Sequence, residues 1–506
     1  MSCVFKFINF YSSSLCVSFL ALFAVGSVAA QQHAADLTLR GSITEANRET
    51  YVEIPFEVPS GVVRVSVEFS YTGHERQTTI DLGLFDGERF RGWSGGNKSA
   101  FTVSETDATP SYLAGPVRAG MWKLILGVPS VGVGVRSEYL AKVFFMRAGE
   151  VAAVSTFETT PVREGAAWYR GDLHMHDAHS DGSCTSQTGK KVPCPLYKTV
   201  EAAVARGLDF IAITDHNTVS HFEEERELAP YFDRLLFIPG REITTFDGHA
   251  NVYGSTEFID FRLTSKYVPT LTDLLNEVER KHAILSINHP GLPTGSECMG
   301  CGWSVKDTDF RRVHVIEAVN GDNIDNKLAG VPFWQQRLND GLRVTAIGGS
   351  DNHNATRVPD QESAIGRPAT VVHAANLSER AVLDGVLAGH VFIDVQGSRD
   401  RAMSFAASAG TTEAMMGDGL SAPSGTRVHL AVTLDHLDGA HAELVRDGVV
   451  SPFAKGAVAG SAHEILEQDE TSDGGRHWLR INVRDAAGKL LLLGNPVYVN
   501  FSPSSR

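Results

Sequence analysis

Gly171-Asp172-Leu173-His174-Met175-His176-Asp177-Ala178-His179-Ser180-Asp181-Gly182 sets histidines and carboxylates at the end of a strand-like segment. Side chains alternate between the two faces of an extended chain. His174 and His176 therefore point the same way and can grip one cation, while Met175 points away. Alone, a His-x-His pair reads equally well as two surface histidines on an amphipathic strand. It gains weight because further segments downstream also end an apolar run with His, Asp or Glu.

Those segments alternate strand with helix. A helix expected over residues 199–206, stopped by Gly207, precedes a buried strand over 209–214 that ends in Asp215-His216-Asn217. A helix over 223–232 leads to a strand over 235–238 and then to Pro239-Gly240-Arg241-Glu242, with His249 on the next short extended piece. An amphipathic helix over 271–281 precedes a strand over 283–287, which runs into Asn288-His289-Pro290. A strand over 313–319 ends in Asn320-Gly321, and a helix over 332–342 is followed by a strand over 344–347 and Gly348-Gly349-Ser350-Asp351-Asn352-His353. Such alternation predicts parallel strands with crossover helices, hence an α/β barrel or open sheet. In a parallel barrel the carboxyl ends of the strands converge on one rim. That rim would carry His174, His176, His216, Glu242, His289, Asp351 and His353, a donor set for metal.

Taken together, the His-x-His with its Ser-Asp-Gly, the Thr-Asp-His, the Gly-Arg-Glu, the Asn-His-Pro and the Gly-Ser-Asp-x-His resemble the motifs of the PHP (polymerase and histidinol phosphatase) superfamily. Within it the chain is most similar to the CehA/McbA-type metallohydrolases, over about residues 169–394. The resemblance implies a distorted seven-stranded β/α barrel carrying two or three divalent metals. It implies that His174, His176, Glu242 and Asp351 hold one ion, with Glu242 bridging to a second held by His289 and His249, and that Asp181, His216 and His353 hold a third. Two features depart from the family pattern: Asp181 stands where some members use His, and His249 lies only seven residues after Glu242. His179 is left to line the pocket.

Imidazoles with carboxylates suit zinc, manganese or iron and exclude an all-oxygen calcium cage. Such ions lower the pKa of a bridging water and neutralise an anionic transition state. The expected chemistry is therefore hydrolysis by a metal-bridging hydroxide, with Asp351 as proton shuttle. Arg241 and Arg367 are candidate grips for a phosphate or carboxylate. Asp172 and Asp215, beside ligands, are candidates for orienting imidazoles or for capping helices.

Outside this part the helical signal is weak. Residues 31–150 read as a β-sandwich, with Val63, Val65, Val67 and Phe69 alternating with Arg64, Ser66, Glu68 and Ser70, and with similar rows at Ile80-Leu82-Leu84 and Trp122-Leu124-Leu126. Trp93 reads as core or rim, and this domain is assigned no ligand. The metal-binding part is placed at 165–398. Residues 399–506 read as a second small β-sandwich, from rows such as Val428-Leu430-Val432-Leu434. Residues 1–30 read as a cleaved secretory signal: Lys6, an apolar run over 15–25, then Val28-Ala29-Ala30. The expected product is soluble, secreted or periplasmic, with no membrane association after cleavage.

The formal charge of −15 becomes −16 once Lys6 leaves, so no broad basic field exists for a nucleic-acid backbone. The mature chain keeps Cys184, Cys194, Cys298 and Cys301. The local pairing is Cys184 with Cys194 and Cys298 with Cys301, and four thiolates on a structural zinc is the rival. Three functions follow: a phosphoesterase on small organic phosphates or nucleotides, a carbamate or carboxylic ester hydrolase of the CehA/McbA type, or a non-catalytic metal- or glycan-binding protein. The partner expected of either enzyme is a small-molecule ester. Nothing in the sequence fixes the oligomeric state.

Overall fold

The structure, a computed structural model, describes residues 34–150, 157, 160–295, 298–456, 460 and 462–501. The signal read at residues 1–30 lies outside the described residues. From Asp36 onward the chain forms one unit, mixed α/β and rich in strands. Among the described residues no helix is long and apolar enough to cross a membrane.

Eight strands between Leu37 and Arg147 form two four-stranded sheets. Period-2 alternation turns Val65, Val67 and Phe69 from one sheet and Leu82, Leu84, Trp122, Leu124 and Leu126 from the other into one shared core. The row fails at its first member. A register shift between Val62 and Arg64 leaves Val63 half-buried and turns Arg64 inward. Arg64 there binds the buried carboxylate of Asp107, which also takes Arg226 from the His221–Leu228 helix. Burial alone would raise the Asp107 pKa, but the two guanidinium groups outweigh it and hold the carboxyl well below its usual range. Trp93 is half-buried, edge-on to Tyr51.

The helices form where the periodicity places them, at Leu196–Arg206, His221–Leu228, Leu271–Arg280 and Val331–Asn339, with a fifth at Glu379–Ala388. Leu271–Arg280 shows the cause. Thr270 and Asp273 close a reciprocal capping box at its start, and Leu271, Leu274, Leu275 and Val278 bury one stripe.

The strands depart from the expected ring. Among the described residues no closed barrel forms, and the strands divide between two sheets. Ala167–Asp172, Phe210–Ile211 and Leu236–Phe237 are parallel neighbours, but Ala369–Ala374 joins Ala167–Asp172 antiparallel. The other sheet runs Gly240–Thr244, His249–Tyr253, Ile284–Ile287, Val315–Asn320, Thr345–Gly349; its first two pairings are antiparallel and its last two parallel. Pro239, without an N–H for the ladder, separates Leu236–Phe237 from Gly240–Thr244, and the chain then folds back on itself through residues 245–248. Two isolated parallel bridges, His216 with Glu242 and Met175 with Asn352, join the sheets at the ends of these strands.

The C-terminal strands divide: Ala402–Ala409, Thr412–Met415, Arg427–Asp435 and His463–Thr471 form a sheet of their own, and the others extend the first sheet. Val391–Asp394 pairs with Leu490–Gly494 through Phe392↔Gly494, Ile393↔Leu493 and Asp394↔Leu492. Leu490 and Leu493 enter the core beneath the second sheet, whereas Leu491 and Leu492 enter the C-terminal core with Phe405, Leu430 and Ile481. An apolar run covered on both faces is the mark of an interior strand.

Candidate metal centre

The two bridges bring the ends of both sheets to one mouth. His174 and His176 follow Asp172, and their backbones are laced to the segment after Thr345–Gly349: Asp351 N–H donates to the His174 carbonyl at 2.8 Å and His176 N–H to the Asn352 carbonyl at 2.9 Å. Asp172 lies beneath. Its oxygens accept from the N–H groups of His174, Ser350 and Gly366 at 3.2, 3.1 and 2.7 Å, and burial pushes its pKa up to about 6 against those bonds. Asp172 therefore ties three backbone segments together and orients no imidazole. Asp215 likewise accepts from the Asp177 N–H and the Ser180 hydroxyl, not from a ligand ring. Burial and the charge of Asp215 push Asp177 up to about 9.

Glu242 occupies the middle of the mouth. Its Oε2 is 3.5 Å from His174 Nε2 and 3.6 Å from His176 Nε2, and its Oε1 is 3.3 Å from both His249 Nδ1 and His289 Nε2. Asp351 Oδ1 lies 3.4 and 3.3 Å from the same nitrogens of His174 and His176. Toward solvent, Asp181 Oδ1 is 3.3 Å from His353 Nε2 and 3.8 Å from His216 Nε2. The His176 ring lies against those of His216 and His353, with centroids 4.5 and 4.2 Å apart. Donor atoms about 3–3.5 Å apart can share a cation with bonds of ~2.1 Å. All nine residues named for metal in the sequence thus meet at one place, in groups whose ligand atoms lie within 4.8 Å of one another.

The chemistry of these residues fits divalent ions. His174 Nε2, both ring nitrogens of His176 and His249 Nδ1 are buried without a hydrogen-bond partner, a costly arrangement unless something binds there. Burial would raise the pKa of Glu242, but His216 and His174 outweigh it and hold the carboxyl well below its usual range. Asp351 is held down in the same way, chiefly by His174 and His176. Conversely, Glu317, Asp351 and Glu242 overcome burial and raise His174 well above the ordinary imidazole range. The buried carboxylates demand positive charge at the centre.

Glu317 escaped the sequence reading. Buried on Val315–Asn320, it takes His174 Nδ1 at 2.9 Å, the His289 N–H at 2.8 Å and Asn320 Nδ2 at 3.0 Å. It therefore fixes which His174 nitrogen faces the centre. The available signal was a single acid inside the apolar run Val315-Ile316-Glu317-Ala318-Val319. Gly349 makes room for it, since a Cβ there would collide with Glu317 Oε1 and His174 Cβ. Two backbones at the mouth are strained: His289 has φ +28° and Asp351 φ +51°.

Both arginines are engaged with other partners. Arg241 neighbours Glu242 on a strand, so it points to the opposite face, where its buried guanidinium donates to the Glu257 carbonyl. Arg367 is paired with Asp322, Nε to Oδ1 at 3.1 Å. His179 contacts Ser220 and Glu224 at 2.7 and 3.2 Å. Cys298 and Cys301 form a disulfide, whereas Cys184 and Cys194 are buried free thiols that contact each other.

No protein-family model matches the chain. An uncharacterized protein of Methanocaldococcus jannaschii is 26% identical over 167 residues, 32% of this chain and 88% of that protein. Among solved structures, a two-domain protein of Bacteroides vulgatus, described as containing a predicted PHP-like metal-dependent phosphoesterase, is similar over 68% of this chain and 98% of its own, with 18% identity and a TM-score of 0.37. A protein of Bifidobacterium adolescentis, described as a candidate metal-dependent phosphoesterase, is similar over 43% of this chain and 95% of its own, with 15% identity and a TM-score of 0.28.

Proposed function

We propose that the chain is an exported metal-dependent hydrolase of phosphate esters, acting on small organic phosphates or nucleotides. One observation carries the reading: Glu242 presents one oxygen to His174 and His176 and the other to His249 and His289. A pair of divalent ions sharing a carboxylate needs this arrangement. When bound, such ions supply a water acidified from a pKa of about 16 towards ~7, and positive charge for an anionic transition state.

The chain's own residues then have distinct tasks. His174, His176 and Asp351 with Glu242 would hold one ion, His249 and His289 with Glu242 a second, and Asp181, His216 and His353 a third. Asp351, whose Oδ2 accepts from Asn320 Nδ2 at 3.2 Å on a side chain 19% exposed, would move a proton between the centre and solvent. We read the two sheets, bridged at His216–Glu242 and Met175–Asn352, as an opened PHP-type barrel, and the motif set as that of a CehA/McbA-type member.

Hydrolysis of a carbamate or carboxylic ester is the second reading. Its support is that Arg241 and Arg367 both serve other partners, which removes the side-chain anion grip that favoured phosphate. The test strips the purified protein with a chelator, counts ions on reloading with zinc, manganese or iron, and screens phosphate mono- and diesters beside aryl carbamates. Metal-dependent turnover of phosphate esters is expected. Turnover of carbamates alone replaces the first reading with the second, and metal binding without turnover of any ester leaves a binding protein. Export rests on the leader-like first thirty residues; a mature chain starting at Gln31 supports it, and an uncleaved cytoplasmic product overturns it.

A further inference from the structure

The disulfide-closed turn Cys298-Met299-Gly300-Cys301 meets the centre through its backbone. His249 Nε2 is 3.0 Å from the Met299 carbonyl, and His289 Nδ1 is 3.0 Å from the Cys301 carbonyl. A carbonyl only accepts, so each ring carries its proton on the nitrogen facing the turn. The nitrogens left over, His249 Nδ1 and His289 Nε2, are the two that face Glu242 Oε1. One four-residue loop thus sets the tautomer and angle of both imidazoles beside that oxygen. The loop is wedged between the segments that carry them. A Cβ on Gly300, at φ +79°, would strike the Thr245 carbonyl before His249, and one on Gly302 would strike the Leu292 carbonyl after His289.

We propose that this loop is a redox-dependent clamp on the His249–His289 side of the centre: closed by the Cys298–Cys301 disulfide it holds both rings in ligating posture, and opened by a dithiol it releases them. The inference rests on the metal-centre reading and adds to it the elements that position one ion. The exchange balances. A dithiol's thiolate attacks Cys298 Sγ, on the exposed residue of the pair; the S–S bond breaks and Cys301, buried, leaves as thiolate. The dithiol's second sulfur then displaces Cys298 and closes its own disulfide, so two electrons pass to the protein and the two cysteines end as thiols. Cys184 and Cys194 are already free and contribute no electrons to this exchange.

The experiment uses the full mature chain and metal alone. Zinc or manganese is titrated through a metal buffer, counting ions per chain and their affinities, in the oxidised protein, after dithiothreitol, after reoxidation, and in Cys298→Ser. Reduction and the substitution should each weaken one ion about 10–100-fold, the range seen when groups that orient ligands are removed, and leave the remaining ions in place. Reoxidation should restore the lost ion. A melting curve of the reduced protein separates release of the loop from unfolding, and if Cys298→Ser does not fold, the reduction and reoxidation cycle decides. Unchanged affinity overturns the proposal. So does tighter binding, which capture of the ion by Cys301 would give, its sulfur lying within 4.8 Å of a ring nitrogen of both His249 and His289. Binding of no ion even when oxidised would sink the metal-centre reading itself.

Discussion

His174 and His353 both offer Nε2 to the same mouth, yet they are steered by different means and lie at different depths. The His174 side chain is fully buried, and its other nitrogen is held by the carboxylate of Glu317 at 2.9 Å. His353 is 38% exposed, and its other nitrogen meets the carbonyl of nearby Asp351 at 2.9 Å with that residue's carboxylate farther off at 3.5 Å, while its partner Asp181 is 58% exposed. A carboxylate makes the imidazole behind it a better ligand, and exclusion of water strengthens every charge interaction inside. The open lip has a longer carboxylate contact, 3.5 Å against 2.9 Å, and little exclusion of water. The mouth is therefore graded in burial, and under the proposed reading its inner positions would keep an ion more firmly than its outer ones.

That gradient can be broken at several points. Replacing the shared carboxylate by Glu242→Gln should have the largest effect, a fall in kcat/KM of about 10³-fold or more, ~4 kcal/mol of barrier, with loss of inner metal measured by elemental analysis. Retention of all ions and activity would remove Glu242 from its central place. Glu317→Gln should weaken an inner ion about 10–100-fold while the lip ion stays, because only the orientation of His174 and His289 is lost. If the lip ion goes first, the depth ordering is wrong. His353→Ala should empty the lip alone, reducing metal content by one and turnover by less than about tenfold, since the inner ligands are untouched.

The smallest effect concerns a buried acid with no place in the centre. Burial pushes Glu379, at the start of its helix, up to about 8 despite Arg226. The folded state therefore favours the protonated form. The stability this contributes is full below the unfolded pKa of about 4.3 and is lost as pH rises through ~8. Glu379→Gln cannot ionise and should melt higher than the parent at pH 9, with little difference at pH 4 and unchanged metal content. Parallel melting curves across that range would show that Glu379 is ionised in the folded protein.

The residues that meet at the mouth were readable because strand ends repeat: an apolar run followed by His, Asp or Glu signals a rim whatever the sheet's closure. Glu317 was not readable, because a single acid in a buried strand looks the same whether it faces a ligand or a lone donor. Arg241 was misread although the needed rule was at hand, since neighbours on a strand face opposite ways and Glu242 had already taken the inner side. Arg367 depended on Asp322, a partner that only the folded chain reveals.

The sequence by itself determined which residue types end each strand, the helix stripes and caps, and so the donor set, because these follow from local period and backbone chemistry. Only the tertiary structure decided that the strands divide into two bridged sheets, that some of the C-terminal strands continue one of them, and that the carbonyls of Met299 and Cys301 steer two imidazoles. Sheet pairing is chosen by competition among many apolar strands. A carbonyl is common to every residue, so no side-chain code can announce where it will point.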